Sequence, residues 1–290
     1  MIKGIILAGG SGTRLSPVTF SINKHLMPIY NKPMLHYAVS TIMLMDIKDI
    51  LIIGSPKDLP FFRNLYGDGS NLGISISYEV QESPNGLAEA FLIGEDFIGS
   101  NDVALMLGDN IFYGNGFYEL AKSAIENNIG ATLFSYPVKD PERFGVLEID
   151  EDGNIVSIEE KPKKPKSNLI STGLYLFDKN VSKYAKELKP SSRGELEITD
   201  LNKIYLDKGL LKAKKLGRGF AWFDVGTFSA FNDASLFIKQ IEGLYGSLIG
   251  SPEEISHDKG WISHEKLKNI IETFGSSEYA EVLKNRLNSD

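Results

Sequence analysis

Apolar residues follow two different periods along the first half of the chain. Short apolar runs of strand-like composition alternate with longer segments in which apolar residues recur every three or four positions. This alternation is typical of an α/β sheet whose strands are connected by helices. We predict strands over residues 4–8, 49–53, 74–80, 103–107 and 131–137, and helices over residues 33–45, 87–97 and 116–127.

The pattern changes near residue 144. The segments 145–150, 154–162 and 170–178 have the character of antiparallel strands, with turns at Asp152-Gly153 and at 162–167. Strands near 212–216 and 220–223 are expected to return to the sheet. From residue 227 the chain is predicted to be mostly helical, over 230–244, 264–273 and 277–287.

These elements predict an α/β fold: a Rossmann-like sheet with helices on both faces, a β-rich part and a helical C-terminal part. We divide the chain into a core of residues 1–226 and a helical region of residues 227–290. Within the core, the boundary between the first half and the β-rich half is expected near residue 140.

Composition narrows the class of protein. The chain has 290 residues, of which 42% are hydrophobic, enough for one large or two small cores. It has no cysteine, which excludes disulfides and cysteine metal sites, and no apolar run of membrane-spanning length, so we expect a cytoplasmic protein. The net charge of −7 disfavours a general nucleic-acid or membrane surface.

The first predicted strand runs directly into a glycine-rich turn, KGIILAGGSGTRL over residues 3–15. Glycines allow backbone N–H groups to approach an anion, and a helix expected after the turn would add its positive N-terminus. The turn lacks the Gly-Lys-Ser/Thr of a P-loop, and Leu15 stands where a dinucleotide loop has its third glycine. Arg14 and Lys24 follow closely, which favours a phosphate site of another kind over a turn built only for packing.

Two aspartates follow predicted strands. Asp109 comes after the apolar run 103–107, and Asp224 lies in the segment WFDVGT. Two carboxylates beside a phosphate loop suggest Mg²⁺ held by few protein ligands together with phosphate oxygens and water. The alternatives are that Asp109 begins a turn and that Asp224 caps the helix expected near Phe228.

Other polar residues follow strands in the same way. Gln81 ends the third predicted strand, and its amide could read a pyrimidine edge while Gly86 lets the backbone approach the base. Glu160 could accept hydrogen bonds from sugar hydroxyls while Lys161 meets a phosphate. The four histidines show no metal-type spacing and no nucleophile motif is present, so phosphoryl-type transfer through positioning and charge neutralisation is favoured.

Taken together, these residues resemble the sugar-nucleotide pyrophosphorylase family, in its thymidylyltransferase branch. The likeness covers essentially the whole chain, and ten motifs in order make it specific. The matching segments are 4–19, 23–34, 66–81, 83–91, 107–114, 143–150, 159–162, 171–178, 193–200 and 222–227.

The resemblance implies a Mg²⁺-dependent enzyme that joins dTTP and α-D-glucose 1-phosphate to dTDP-glucose and pyrophosphate, assembled as a homotetramer built from dimers. The residues implied to bind the nucleotide are Gly9, Gly10, Ser11, Gly12, Thr13, Arg14, Lys24, His25, Gln81, Gly86 and Asp109. Those implied to bind glucose 1-phosphate are Asn110, Gly145, Glu160, Lys161, Ser171 and Arg193. The implied metal ligands are Asp109 and Asp224, and the implied catalytic cations are Arg14, Lys24, Lys161 and Arg193.

Several positions depart from the family pattern. His25, Ser171 and Glu89 replace a glutamine, a valine and a glutamine, without removing a charge that the chemistry needs. Leu248 and Asp258 stand where a second, regulatory nucleotide site has basic residues, so we expect weak feedback by dTDP-rhamnose. Thymine and uracil share a hydrogen-bonding edge, which leaves a uridylyltransferase open as an alternative. A non-catalytic nucleotide-sugar sensor is the alternative from another class.

Overall fold

The computed structural model describes residues 2–10 and 12–288. In chain order the strands are β1 Ile2–Leu7, β2 Pro28–Ile29, β3 Lys32–Pro33, β4 Asp49–Gly54, β5 Ser75–Val80, β6 Asp102–Leu107, β7 Asn110–Gly114, β8 Ala131–Pro137, β9 Gly145–Ile149, β10 Ile155–Glu160, β11 Leu169–Phe177, β12 Leu211–Lys215 and β13 Phe220–Asp224. The α-helices are α1 Met34–Leu44, α2 Leu59–Tyr66, α3 Ala90–Ile93, α4 Glu95–Ile98, α5 Phe117–Glu126, α6 Val181–Ala185, α7 Ile198–Asp207, α8 Phe228–Tyr245, α9 Pro252–Asp258, α10 His264–Thr273 and α11 Glu278–Leu287.

Nine of the strands in these described residues form one mixed sheet. Its main path has the order β10-β9-β11-β6-β1-β4-β5, and β8 adds to β11 and carries β12 on its other side. β1 runs parallel to both β4 and β6, whereas β11 runs antiparallel to β6. The parallel strands of the first half therefore have their carboxyl ends at one edge of the sheet.

Both faces of the sheet are covered by helices. In β1, Ile5 and Leu7 pack into one apolar cluster and Ile6 into the other, because successive side chains point to opposite faces. α1 and α5 cover the face of Ile6, and α3, α6 and α7 cover the face of Ile5 and Leu7. A strand buried on both faces has a continuous apolar run, as the sequence predicted. The predicted α/β class is confirmed.

Three local predictions were wrong. The glycine-rich turn leads into a short 3₁₀ turn, Thr13–Leu15, and α1 begins only at Met34. Pro17 holds Ser16 extended, which prevents the helix that we expected after Leu15. β13 pairs with β7 in a separate two-stranded sheet and not with the main sheet. The predicted helix over 87–97 is interrupted at Gly94, which separates α3 from α4.

Two of the C-terminal helices, α8 and α9, pack directly against the core. Ala234 and Ile238 of α8 contact an apolar cluster that includes Tyr37 of α1 and Val225, and α10 and α11 form a small cluster of their own. Lys32 and Glu242 form a buried ion pair of 2.6 Å between β3 and α8. Among the described residues, no helix is both long enough and apolar enough to cross a membrane.

Candidate functional site

The candidate site lies at the edge where the parallel strands end. Leu7 of β1 is in register with Ile53 of β4 and with Leu107 of β6, so the segments after these strands start side by side. The glycine-rich turn follows β1, and Asp109 follows β6. Ligands commonly bind at this edge of open α/β sheets, and the fold therefore brings the two predicted phosphate and metal segments together.

Asp109 is a buried carboxylate with close partners. Lys24 Nζ lies 2.5 Å from its Oδ2, and Asn110 Nδ2 donates to its Oδ1 at 3.0 Å. Burial alone would raise the pKa of Asp109, but the Lys24 ammonium and these hydrogen bonds outweigh it and hold the pKa well below its ordinary value. Asp109 is therefore ionised at neutral pH.

Asp224 comes to the same place from a different part of the chain. β13 runs antiparallel to β7 with Asp224 opposite Asn110, and Val225 N donates to the carbonyl oxygen of Asp109. Burial and the nearby charge of Asp109 raise the pKa of Asp224 to about 6. The helix that follows is capped by Thr227, whose side chain accepts a hydrogen bond from Ala230 N, so capping is not the role of Asp224.

Two arginines lie beside Asp224. The Arg14 guanidinium occupies the space beside Gly226, where an added Cβ would come within 2.4 Å of Nη2. Arg143 Nη2 lies 3.6 Å from Asp224 Oδ2, while its Nη1 pairs with Asp140 at 2.6 Å. Arg143 was not among the predicted site residues, although it belongs to the segment 143–150 that carries part of the family likeness.

The acidic pair suits a divalent cation. Burial raises the pKa of Asp224 most, and repulsion by the nearby Asp109 carboxylate adds to it; a cation beside the two carboxylates would oppose both effects. Among the described residues no group of three or more potential metal-ligating side chains is present. A hard cation here would therefore complete its shell with substrate oxygens and water, as Mg²⁺ does beside phosphates.

Asn110 is fully used in holding this site together. Its Oδ1 accepts from Gly173 N at 3.0 Å and from Trp222 Nε1 at 2.7 Å, and its Nδ2 donates to Asp109. A Cβ at position 173 would come within 2.6 Å of the Asn110 side chain, which explains the glycine there. We predicted that Asn110 binds glucose; in this conformation its side chain instead connects β7, β11 and β13.

A second cluster gathers the residues predicted to bind the sugar phosphate. Glu160 Oε1 lies 3.6 Å from both Lys161 Nζ and Arg193 Nη2, and its Oε2 accepts from Thr199 Oγ1 at 2.5 Å. Gly145 is opposite Glu160 in the β9–β10 pairing. The structure thus brings together four of the six predicted sugar-phosphate residues around one carboxylate.

Arg193 and Ser171, both predicted to bind the sugar phosphate, differ in the partners that their side chains have within the protein. Arg193 makes three contacts of 2.7–3.1 Å with Glu197, so its guanidinium already has a strong partner. Ser171 is buried on β11, where its side chain contacts the Thr172 carbonyl oxygen at 3.4 Å and also interacts with Tyr175. Thr199 and Trp222 were not predicted, although each lies in a segment that carries the family likeness, because each acts through another residue: Thr199 through Glu160 and Trp222 through Asn110.

Gln81, one of the two residues predicted to read the base, lines a cavity of about 260 Å³. Gly10, Asn23, Lys24 and Gln81 are among its lining residues, and Gln81 Oε1 lies over Gly9. The cavity therefore begins at the glycine-rich turn and ends at β5. Ser11 lies outside the described residues.

Gly86 and His25, both predicted to bind the nucleotide, are closely packed by neighbouring protein groups. Gly86 has φ +113°, and a Cβ there would come within 2.3 Å of the Leu196 carbonyl oxygen, so glycine is required for packing against Leu196. The His25 ring is 1% exposed beside Gly108, and burial lowers its pKa to about 3. A neutral, buried ring cannot meet a nucleotide phosphate directly.

A second cavity of about 270 Å³ lies between α1, β7 and α9. Leu248, Glu254 and Asp258 are among its lining residues, and burial together with Asp258 raises the pKa of Glu254 to about 7. Arg286 of α11 lies 3.6 Å from both carboxylates. Leu248 and Asp258, which the family likeness assigns to a regulatory site, thus line the same cavity, and that role stays a prediction.

Comparison with known proteins agrees with this geometry. The sequence model of the nucleotidyl transferase family matches residues 3–241. The chain is 52% identical to a glucose-1-phosphate thymidylyltransferase of Neisseria meningitidis, over 97% of this chain and 98% of the relative. It is 46% identical to the enzyme of that name from Mycobacterium tuberculosis, over 97% and 98%.

Solved structures give the same result. A Bacillus anthracis chain described as a glucose-1-phosphate thymidylyltransferase, solved with sucrose, superposes with a TM-score of 0.75 at 42% identity and covers 82% of this chain and 95% of its own. A UDP-glucose pyrophosphorylase solved with UDP-glucose gives 0.73 at 25% identity and covers 83% and 100%. With the sequence match, the strand-end site and this shared fold, the chain belongs to the nucleotidyl transferase family.

Proposed function

We propose that this protein joins dTTP and α-D-glucose 1-phosphate to form dTDP-glucose and pyrophosphate. An oxygen of the sugar phosphate attacks the α-phosphorus of dTTP; the new O–P bond forms as the bond to the β-phosphate oxygen breaks, and pyrophosphate leaves. The attacking oxygen is already anionic, so the reaction requires no general base. This agrees with a site that is rich in charged pairs, in which the nearby His25 is buried and neutral and is not needed as a base.

The observation that carries the proposal is the buried charge cluster at the strand ends. Lys24, Asp109 and Asp224 converge there, with Arg14 against Gly226. Arg14 and Lys24 would offset charge on the triphosphate, and Lys161 and Arg193 would hold the sugar phosphate. Preorganised charges of this kind stabilise a transition state without further reorganisation.

We include Mg²⁺ in the proposal, with Asp109 and Asp224 as its protein ligands. When bound, it would neutralise charge on the phosphate oxygens. The ionised state of Asp109 suits it for this role. Chelation should stop turnover, Mg²⁺ should restore it, and Asp109→Ala or Asp224→Ala should abolish the Mg²⁺-dependent rate. Unchanged kcat in both variants would remove the metal assignment.

One assay tests the activity. Pyrophosphate release is measured with dTTP or UTP, each with glucose 1-phosphate, and with the sugar phosphate omitted as control. The proposal expects release with dTTP that requires the sugar phosphate. Faster turnover of UTP would make the protein a uridylyltransferase, and tight nucleotide-sugar binding without release would make it a sensor.

We also propose that the protein acts as a homo-oligomer, a tetramer built from dimers. Leu236, Leu244 and Tyr245 on α8 are 58%, 73% and 66% exposed, which is a large apolar surface for one helix. Leu248 and Ile249, which follow α8, pack partly within the chain. The interface proposal therefore depends on α8.

Feedback at the second cavity is proposed to be weak. Glu254 and Asp258 give this cavity two carboxylates, and Leu248 supplies no charge to attract a diphosphate. Arg286, which lies near both carboxylates, offsets only part of that charge. Inhibition assays with dTDP-rhamnose should show little effect; potent inhibition that is non-competitive with dTTP would contradict this.

A further inference from the structure

Gln81, which lines the cavity beside the glycine-rich turn, is held by the carboxylate of Glu89. Gln81 Nε2 lies 2.7 Å from Glu89 Oε2 and 3.5 Å from the Gly86 carbonyl oxygen. The other carboxylate oxygen of Glu89 accepts a hydrogen bond from Asn85 Nδ2 at 2.8 Å. Glu89 is therefore fixed between two amide groups.

The chemistry of these partners decides which end of the Gln81 amide faces them. An ionised carboxylate and a backbone carbonyl can only accept hydrogen bonds, whereas a glutamine amide has one donating and one accepting end. The Gln81 nitrogen must therefore face Glu89 and Gly86. Its oxygen, Oε1, is directed away from Glu89.

That oxygen is on the cavity side. It lies over Gly9, where a Cβ would come within 2.5 Å of it, and Gln81 lines the cavity with Gly10 and Lys24. Within the part of the chain that the structure describes, Oε1 accepts no hydrogen bond from the protein. Gln81 thus presents an acceptor, and only an acceptor, to a base in this cavity.

We propose that Glu89, which stands where the family usually has glutamine, is a positioning residue that makes base specificity stricter, by holding Gln81 so that its oxygen faces the nucleobase. This inference rests on the proposed function. An acceptor at that point favours a base with an N–H donor on its pairing edge, as thymine and uracil have at N3. It disfavours cytosine, whose N3 is itself an acceptor, because two facing acceptors leave both groups unpaired.

The test is Glu89→Gln, which keeps the size of the side chain but lets residue 89 donate as well as accept. Gln81 can then turn over and present its nitrogen. We expect the ratio of kcat/KM for dTTP to that for dCTP to fall about three- to tenfold, the worth of about one hydrogen bond. KM for dTTP should rise, whereas kcat with dTTP and KM for glucose 1-phosphate stay within about twofold of wild type.

The control is Glu79→Gln, which removes the same charge from an exposed position of β5. Glu89→Ala, which removes the partner entirely, should lower the ratio as well. A wild-type ratio in both Glu89 variants would overturn the proposal, and so would equal losses for dTTP and glucose 1-phosphate. Absence of turnover by the wild-type protein would instead contradict the proposed function, so the two failures are distinguishable.

Discussion

At the scale of single residues, two aspartates in one buried site have opposite pKa shifts. Asp109 is paired with Lys24 at 2.5 Å, which outweighs the cost of burial and keeps it ionised. Arg143 lies 3.6 Å from Asp224, and burial together with the charge of Asp109 outweighs it and raises the pKa of Asp224. Arg14 adds a cation on the side of Gly226. The two carboxylates therefore repel each other, and a bound cation would reduce that repulsion.

Arg14→Ala tests the phosphate role of this cation. Loss of one preorganised charge-stabilising donor should reduce kcat/KM by about 10²- to 10³-fold, a cost of roughly 3–4 kcal/mol in the barrier. Steady-state kinetics with dTTP and glucose 1-phosphate measure it, with Arg218→Ala, an exposed arginine, as control. A kcat/KM within about threefold of wild type would mean that Arg14 does not face the reacting phosphates.

Glu254 supplies a prediction about pH. Burial and Asp258 raise its pKa from 4.5 to about 7, so the folded protein binds this proton more tightly than the unfolded chain. Its ionisation therefore costs stability as pH rises from about 4.5, and the cost is complete above about 7.

Glu254→Gln should consequently raise the free energy of unfolding at pH 8 by about 1–3 kcal/mol and change it little at pH 4. Urea titrations at the two pH values measure this difference. Glu151→Gln, on an exposed turn, is the matched control and should show no such dependence on pH. An equal effect of Glu254→Gln at both pH values would contradict the shift.

At the scale of elements, the loop after β5 and the segment before α7 form one unit. Leu196 N donates to the Asn85 carbonyl oxygen at 2.6 Å, and Ala88 N donates to the Leu196 carbonyl oxygen at 3.2 Å. The same segment carries Arg193. The predicted base-reading and sugar-phosphate parts of the site are thus joined by backbone hydrogen bonds.

Gly86→Ala should disrupt this junction. A Cβ would come within 2.3 Å of the Leu196 carbonyl oxygen, and a φ of +113° is strained for any L side chain. We expect a loss of at least about 2 kcal/mol in the free energy of unfolding. Gly209→Ala is the control, since φ is also positive there but nothing lies within 4 Å of the added Cβ. Equal losses in the two variants would show that the contact with Leu196 is unimportant.

The elements also show where prediction from sequence failed. Apolar runs located β1, β4, β6 and β8 closely, because a strand buried on both faces must be apolar throughout. The helix expected after the glycine-rich turn was wrong because Pro17 outweighed the pattern before it. Helices α2 and α9 were missed because each is short and offers few turns of periodicity.

At the scale of the whole molecule, α8 has one face packed on the core and another exposed to solvent. Ala234 and Ile238 attach it to the core, and Glu242 adds the buried pair with Lys32. On its outer side Leu236 and Leu244 are largely exposed, and Tyr245 is exposed at the C-terminal end of the helix. The helix thus has an apolar surface beyond what its own chain covers.

Leu244→Glu should therefore reduce the number of subunits in the oligomer. Light scattering after size exclusion should give a smaller mass for the variant than for the wild-type protein, because a charge on an apolar interface is not compensated. Ile129→Glu, a change at a 66% exposed apolar residue on another surface, is the control and should keep the wild-type mass. Wild-type assembly of Leu244→Glu would place the interface elsewhere.

By itself the sequence determined the α/β class, the strand-end position of the phosphate turn and the two aspartates, because strand burial and glycine-rich turns leave local patterns. The tertiary structure decided what no local pattern records. Antiparallel pairing brings Asp224 opposite Asn110, the mutual burial of the aspartates separates their pKa values, and the contact with Glu89 orients Gln81. These effects depend on distances between residues far apart in the chain, which folding alone sets.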